Sequence, residues 1–265
     1  MKVYISVDIE GVTGVTAWEE TEVGCYGFDE ARIQMSKEAA AACRGALKAG
    51  ATEIFVKDAH ETARNIDSSY LPEEAVLSRG WTNTPESMMA GIDESFDAAI
   101  FIGYHSGAGE NENPLAHTMN RDNNYVKING KRIAEFDLNA YVAAYYGVPV
   151  TFVSGDEALC EHAKALVPEI ETTGVKYGVG NAAVSISPAK AVKLIEEGVY
   201  KSLADNPRKC LFELPEKFEL EINFKDAVRA LRGSYYPGAE QIDEKTVRFT
   251  GNDVQEMMTA RMFIL

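Results

Sequence analysis

The 265-residue chain is 46% hydrophobic, enough to bury a sizeable core in one large domain or two small ones. Its 26 Lys and Arg stand against 41 Asp and Glu, a formal charge of −15 that repels phosphate backbones and anionic lipid surfaces. Nucleic acid and membrane are therefore poor partners, and no apolar run reaches bilayer-spanning length.

The opening MKVYISVDIEG carries one Lys and then alternates, with Val3, Ile5 and Val7 on one face of a predicted strand that ends in acids. It lacks the apolar run of a signal peptide. The cysteines, Cys25, Cys43, Cys160 and Cys210, lie far apart, without the close pairs of a zinc-thiolate or redox motif. A reduced, cytoplasmic protein is expected.

Apolar residues recur at helical spacing from Phe28 to Lys48, where Gly50 is a C-terminal stop. Glu53 to Lys57 forms a second strand followed by Asp58 and His60. A third apolar run, Ala98 to Ile102, ends in Gly103-Tyr104-His105. Tyr125 to Ile133 reads as a hairpin turning at Asn129-Gly130, and Leu138 to Tyr146 as a helix. Val148 to Val153 is a further strand, ending in Ser154-Gly155-Asp156, and Glu157 to Leu166 a helix. Continuous apolar strands separated by helices predict an α/β fold, a mostly parallel sheet covered on both faces. Beyond about Pro168, a helix from Ser187 to Leu203, a charged strand from Lys217 to Phe224 and a helix from Asp253 onward predict a smaller α+β lobe. With no Pro/Ser-rich linker, the expectation is a single catalytic unit, residues 1–265, with a core over about 1–167 and the lobe over about 168–265.

In open α/β sheets, functional groups gather outside the carboxyl ends of the strands. Asp8 and Glu10 follow the first strand, Asp58 and His60 the second, His105 the third, and Glu135 precedes a helix. Carboxylates and imidazoles are the ligands of hydrolytic zinc sites, where a shared carboxylate bridges two ions. Each signal alone is weak, and the spacings match no short zinc signature such as His-Glu-x-x-His, so chemistry alone does not fix the ligands. Mn or Co would also suit them. His117, after a Gly/Asn/Glu-rich loop, either reaches back over the site or stays on the surface. His162 reads as a packing or surface residue of its helix. Asp58 reads as a carboxylate that orients a histidine rather than as a ligand.

The chain resembles the DppA-type zinc D-aminopeptidases of the bacterial dipeptide-transport operon over nearly its full length. Ordered blocks carry the resemblance: Ser6-Val7-Asp8-Ile9-Glu10-Gly11, Asp58-Ala59-His60, Gly103-Tyr104-His105, Ala116-His117-Thr118-Met119, Glu135 through Asn139-Ala140-Tyr141-Val142 to Val148-Pro149-Val150, and Ser185-Ile186-Ser187-Pro188-Ala189-Lys190. The resemblance implies two zinc ions per subunit bridged by Asp8, with Glu10 and His60 completing one and His105 and Glu135 the other. It implies a catalytic His117, release of N-terminal D-amino acids from short peptides, and a ten-subunit, self-compartmentalising homo-oligomer. The loop from Gly107 to Asn113 and the region after Gly233 depart from the family pattern, which leaves substrate preference and stereochemistry open.

The expected activity is hydrolysis of short peptides or amino-acid amides by a metal-activated water, with Glu10 or His117 exchanging the proton. Two alternatives stand beside it. One is another two-metal hydrolase, a phosphoesterase or amidase, of which the phosphoesterase is disfavoured by the lack of a basic cluster near the motifs. The other is a metal- or small-molecule-binding protein without turnover.

Overall fold

The computed structural model of the chain describes residues 1–204 and 206–265. From the N-terminus, β1 (Lys2–Val7) leads into α1 (Phe28–Lys48), β2 (Glu53–Asp58), the short strand β3 (Ala75–Ser78) and β4 (Ala98–Tyr104). The hairpin of β5 (Asn123–Ile128) and β6 (Lys131–Arg132) precedes α2 (Glu135–Tyr145), β7 (Val150–Asp156), α3 (Glu157–Leu166), β8 (Glu171–Val179) and β9 (Ala182–Ser185). Then come α4 (Pro188–Ala204), β10 (Phe218–Phe224), α5 (Ala227–Gly233), β11 (Ala239–Gln241), β12 (Thr246–Gly251) and α6 (Val254–Ile264).

These strands make two sheets, in the orders β3-β2-β1-β4-β7-β8-β9 and β11-β12-β10-β5-β6. The first is parallel except for β9, which returns antiparallel along β8. The second is antiparallel throughout. The mostly parallel α/β architecture read from the sequence is thus the observed one.

Burial follows from strand chemistry. All of β4, AAIFIGY, is buried, as a central strand covered on both faces requires. On β1, Val3, Ile5 and Val7 face a core shared with α1 and α4, while Tyr4 joins the core between the two sheets, α2 and α6. β10, FELEINF, alternates between buried and half-buried residues, so its sheet covers the core with one face and presents the other outward.

Three expectations change. The helix read from Leu138 starts at Glu135, because the acids of its first turn begin it: Asp137 accepts from the Ala134 backbone N–H at 2.9 Å. β3, β8, β9, α5, β11 and β12 are additional elements, most of them short or half-exposed, with little apolar periodicity to mark them. Sheet membership also cuts across the division expected near residue 168. β8 and β9 extend the parallel sheet, whereas β5 and β6, earlier in the chain, join the antiparallel one. The hairpin at Asn129-Gly130 forms where expected, with φ of 50° and 78°, the left-handed pair of a type I′ turn.

Candidate metal centre and its cavity

The carboxyl edge of the parallel sheet is built by close backbone approach. Past the end of β1, the Asp8 N–H donates to Ile102 O and the Gly11 N–H to Gly103 O, each at 2.8 Å. A Cβ at Gly11 would lie 1.7 Å from Tyr104 O, and one at Gly103, whose φ is +70°, 2.3 Å from Asp8 O. Only glycine permits this contact, which delivers Asp8 and His105 to neighbouring points. The turn bearing Glu10 is held from below: the buried Lys176 of β8 donates to Glu10 O and, at 2.6 Å, to Val15 O, and Asn113 Nδ2 also donates to Glu10 O at 3.2 Å. Asp156 anchors the segment after His105, accepting from Ser106 N–H at 2.7 Å and Ser106 Oγ at 2.6 Å while capping α3 through Leu159 N–H. Glu135 opens α2 and accepts from Met119 N–H at 2.7 Å.

Each of three histidines spends one ring nitrogen on a backbone carbonyl. His60 Nε2 meets Thr21 O at 2.7 Å, His105 Nδ1 meets Ser106 O at 2.9 Å and His117 Nδ1 meets Leu115 O at 2.9 Å. A carbonyl only accepts, so those nitrogens carry a proton, and it is the opposite nitrogen of each ring that faces the acids, where the neutral form offers a lone pair. His60 Nδ1 lies 3.3 Å from Asp8 Oδ1 and 3.0 Å from Glu10 Oε2. His105 Nε2 lies 3.3 Å from Asp8 Oδ2 and 3.7 Å from Glu135 Oε1. His117 stacks on His105 with ring centroids 4.4 Å apart, and its Nε2 is 3.5 Å from Glu135 Oε1.

These groups fit a cation. Asp8 Oδ2, Glu10 Oε2 and His105 Nε2 are buried with no hydrogen-bond partner, a costly state for polar atoms unless another group takes them up. Ligand atoms of Asp8, Glu10 and His105 lie within 4.8 Å of one another, as do those of His105, His117 and Glu135. Carboxylate oxygens with imidazole nitrogens are a zinc donor set. Burial acts to raise the Asp8 carboxyl, but the facing His105 and His60 hold it down at about 2. Burial acts to lower the imidazoles of His60 and His105, and the neighbouring carboxylates, Glu10 and Asp8 for the first and Glu135 and Asp8 for the second, raise both well above the ordinary range. The carboxylates thus demand positive charge, which protons supply until a metal displaces them.

All five residues expected as ligands, Asp8, Glu10, His60, His105 and Glu135, therefore converge, and His117 joins them rather than staying on the surface. Asp58 is placed differently from the expectation. Its oxygens accept from Asn65 N–H, Asn65 Nδ2 and Ile66 N–H at 2.6–2.9 Å, and it reaches His60 only through Asn65 Nδ2, which also donates to His60 O at 2.7 Å. The imidazole of His60 is oriented by Thr21 O instead, so Asp58 shapes the loop and not the ring. His162 pairs with Asp137 at 2.9 Å and lies outside the cluster. Sequence patterns did not mark Lys176, Asn113 or Arg261. A lysine in a charged strand and an arginine in a C-terminal helix look like solvated cations, yet both are buried.

A cavity of about 470 Å³ opens onto the cluster, lined by Asp8, Glu10, His60, His117 and Glu135, by Trp18 and Trp81, and by Arg261. A buried, cation-demanding centre at a sheet edge, opening into a cavity of ligand size, places the chain among metal-dependent enzymes. The chain belongs to the D-aminopeptidase family, whose profile matches residues 1–263. It is 33% identical to the D-aminopeptidase of Bacillus subtilis (strain 168) over 264 residues, 99% of this chain and 96% of that one. The fold agrees with a solved structure, the Zn-dependent D-aminopeptidase DppA from Bacillus subtilis, a self-compartmentalizing protease. That likeness has a TM-score of 0.94 and 32% identity, and covers 100% of this chain and 96% of the other. Among the described residues, no helix is long and apolar enough to cross a membrane.

Proposed function

We propose that the chain is a two-zinc aminopeptidase that removes the N-terminal residue, a D-amino acid, from short peptides or amino-acid amides. The observation that carries the two-ion assignment is the posture of Asp8. Its Oδ1 faces His60 and its Oδ2 faces His105, each at 3.3 Å, so one carboxylate spans two imidazoles. Asp8 would serve both ions, with Glu10 and His60 holding one and His105 and Glu135 holding the other. Bound zinc supplies Lewis acidity and lowers the pKa of water from 15.7 to about 7.

The protein's own groups do the rest. His117, its Nδ1–H fixed on Leu115 O, presents Nε2 to take the proton of the attacking water and return it to the leaving amine. Glu10 Oε2 is the alternative acceptor. Stacking on His105 and edge contact with Trp18, at 5.3 Å between centroids, hold the His117 ring in register. The acidic chain, with its formal charge of −15, attracts the protonated N-terminus of a peptide.

Closed assembly is part of the proposal, as a ten-subunit homo-oligomer in the cytoplasm. Likeness to a self-compartmentalizing protease supports it, as do exposed apolar side chains near the C-terminus, Tyr235 at 80% and Phe263 at 66% exposure. A panel of D- and L-aminoacyl amides, dipeptides and aryl phosphates, offered to the zinc-loaded protein, tests the function. Cleavage of D-aminoacyl substrates that chelation stops and zinc restores is expected; turnover of phosphates alone, or of nothing, overturns it. Light scattering should give a mass several times the 29.0 kDa chain.

A further inference from the structure

Arg261 is the one Lys or Arg among the described residues that line the cavity, whose other walls are acids, imidazoles, tryptophans, methionines and small or neutral polar residues. It projects from α6 and is 7% exposed. Nη2 donates to Pro85 O at 3.0 Å, which fixes the guanidinium, while Nε is buried with no hydrogen-bond partner. Glu135 reaches it only as a charge, and burial pushes it down to about 10. A guanidinium kept in the fold as a structural counter-ion would be paired with a carboxylate, because leaving it alone in a buried place is costly. This one is anchored, makes no ion pair among the described residues and lines a cavity that takes small molecules.

We propose that Arg261 is the carboxylate subsite of the enzyme: the cavity-lining part of its guanidinium takes the free C-terminal carboxylate of a dipeptide whose N-terminal amine lies at the metal centre. The assignment rests on the aminopeptidase function proposed above and adds to it the class of preferred substrate. Guanidinium matches a carboxylate in a planar, bidentate fashion that no other side chain offers. An extended dipeptide spans roughly 7 Å, within the reach of a cavity of this size. The metal centre receives the amine and a single fixed cation lining the same cavity receives the carboxylate, so the two ends of a short peptide are read together. Longer or blocked peptides lose the second contact.

The test compares D-Ala-D-Ala with D-Ala-D-Ala amide in the parent, Arg261→Gln and Arg261→Lys, with bound zinc measured on each sample. The parent should prefer the free acid by about ten- to a hundredfold in kcat/KM, the scale of one charged hydrogen-bonded contact. In Arg261→Gln that preference should collapse, chiefly through KM for the free acid, with zinc content unchanged. Arg261→Lys should restore part of it. Equal loss on both substrates in Arg261→Gln, or loss of zinc, makes Arg261 a structural partner of Glu135 and overturns the subsite. The comparison within the parent needs no variant: cleavage of both substrates without preference overturns the subsite alone, whereas cleavage of neither overturns the aminopeptidase function itself.

Discussion

At the carboxyl edge of the parallel sheet, Asp8, Glu10 and Glu135 are each under 5% exposed and lie beside imidazoles whose remaining nitrogens are fixed on carbonyls. On the antiparallel sheet, Glu219 and Glu221 of β10 and Glu240 of β11 surround Arg248 of β12 at 2.8 to 3.7 Å, with their sheet's outer face open to water. Both regions are dense in charge, but only the first has desolvated all of it, since on the second Glu221 alone is largely buried and it pairs with Arg248. Water and a nearby cation already satisfy the outer face, so its charges exert little demand. The buried cluster lacks such relief and therefore holds a strong demand for a bound cation.

Removing a ligand should break that contrast most severely. His105→Ala or His60→Ala leaves the carboxylates with one imidazole fewer, and bound zinc and kcat/KM should both fall by more than about a hundredfold, beyond the loss seen for groups that merely orient ligands. Metal analysis after dialysis, alongside kinetics, decides it. Parent-level zinc and rate in both variants would remove these histidines from the centre.

His117→Ala sharpens the division between holding a metal and moving a proton. The expected outcome is full zinc content with kcat reduced by about 10² to 10⁴. The imidazole lies within ligand distance of His105 and Glu135, so the zinc measurement carries the weight. A sample that loses an ion would make His117 a ligand.

What the sequence revealed follows the same contrast. Apolar strands that stop at Asp8, Asp58 and His105 are conspicuous, because runs such as Ala98 to Ile102 have no other reason to end in acids and imidazoles. The edge of the sheet was therefore legible before its neighbours were known. Lys176 and Arg261 were not, since long cations in half-polar segments look solvated and only the fold buries them. Asp58 was misplaced because its position two residues from His60 says nothing of Asn65, which takes up its oxygens. The addition of β8 to the sheet depends on pairing with β7, and that of β9 on pairing with β8, which no local pattern encodes.

Lys176 links the buried site to the strand beneath it. Lys176→Met keeps the volume but leaves Glu10 O and Val15 O without their donor, and Asn113 Nδ2 satisfies only the first. Unpaired buried carbonyls cost about 1–3 kcal/mol each, so a loss of about 2 kcal/mol in unfolding free energy is expected. The turn bearing Glu10 should loosen with it, lowering kcat by about tenfold. Denaturant midpoints and kinetics on one preparation test both, and a destabilised variant with unchanged kcat would separate Lys176 from the site.

Arg248→Ala is the smallest change expected, although Arg248 touches more carboxylates than any ligand histidine. Its side chain is about a third exposed, so the attraction to Glu219, Glu221 and Glu240 is screened by water and offset by the freedom the side chains lose in pairing. The inner face of β10, with Phe218, Leu220, Ile222 and Phe224 buried, holds the strand without it. Zinc content and kcat should match the parent. What loss of midpoint appears at low salt comes from three acids left facing one another, and it should vanish as added salt shortens the screening length to about 3 Å at 1 M. A salt-independent loss, or any loss of zinc, would mean that charge on this outer face is coupled to the buried centre and that the two regions do not differ in the way their burial implies.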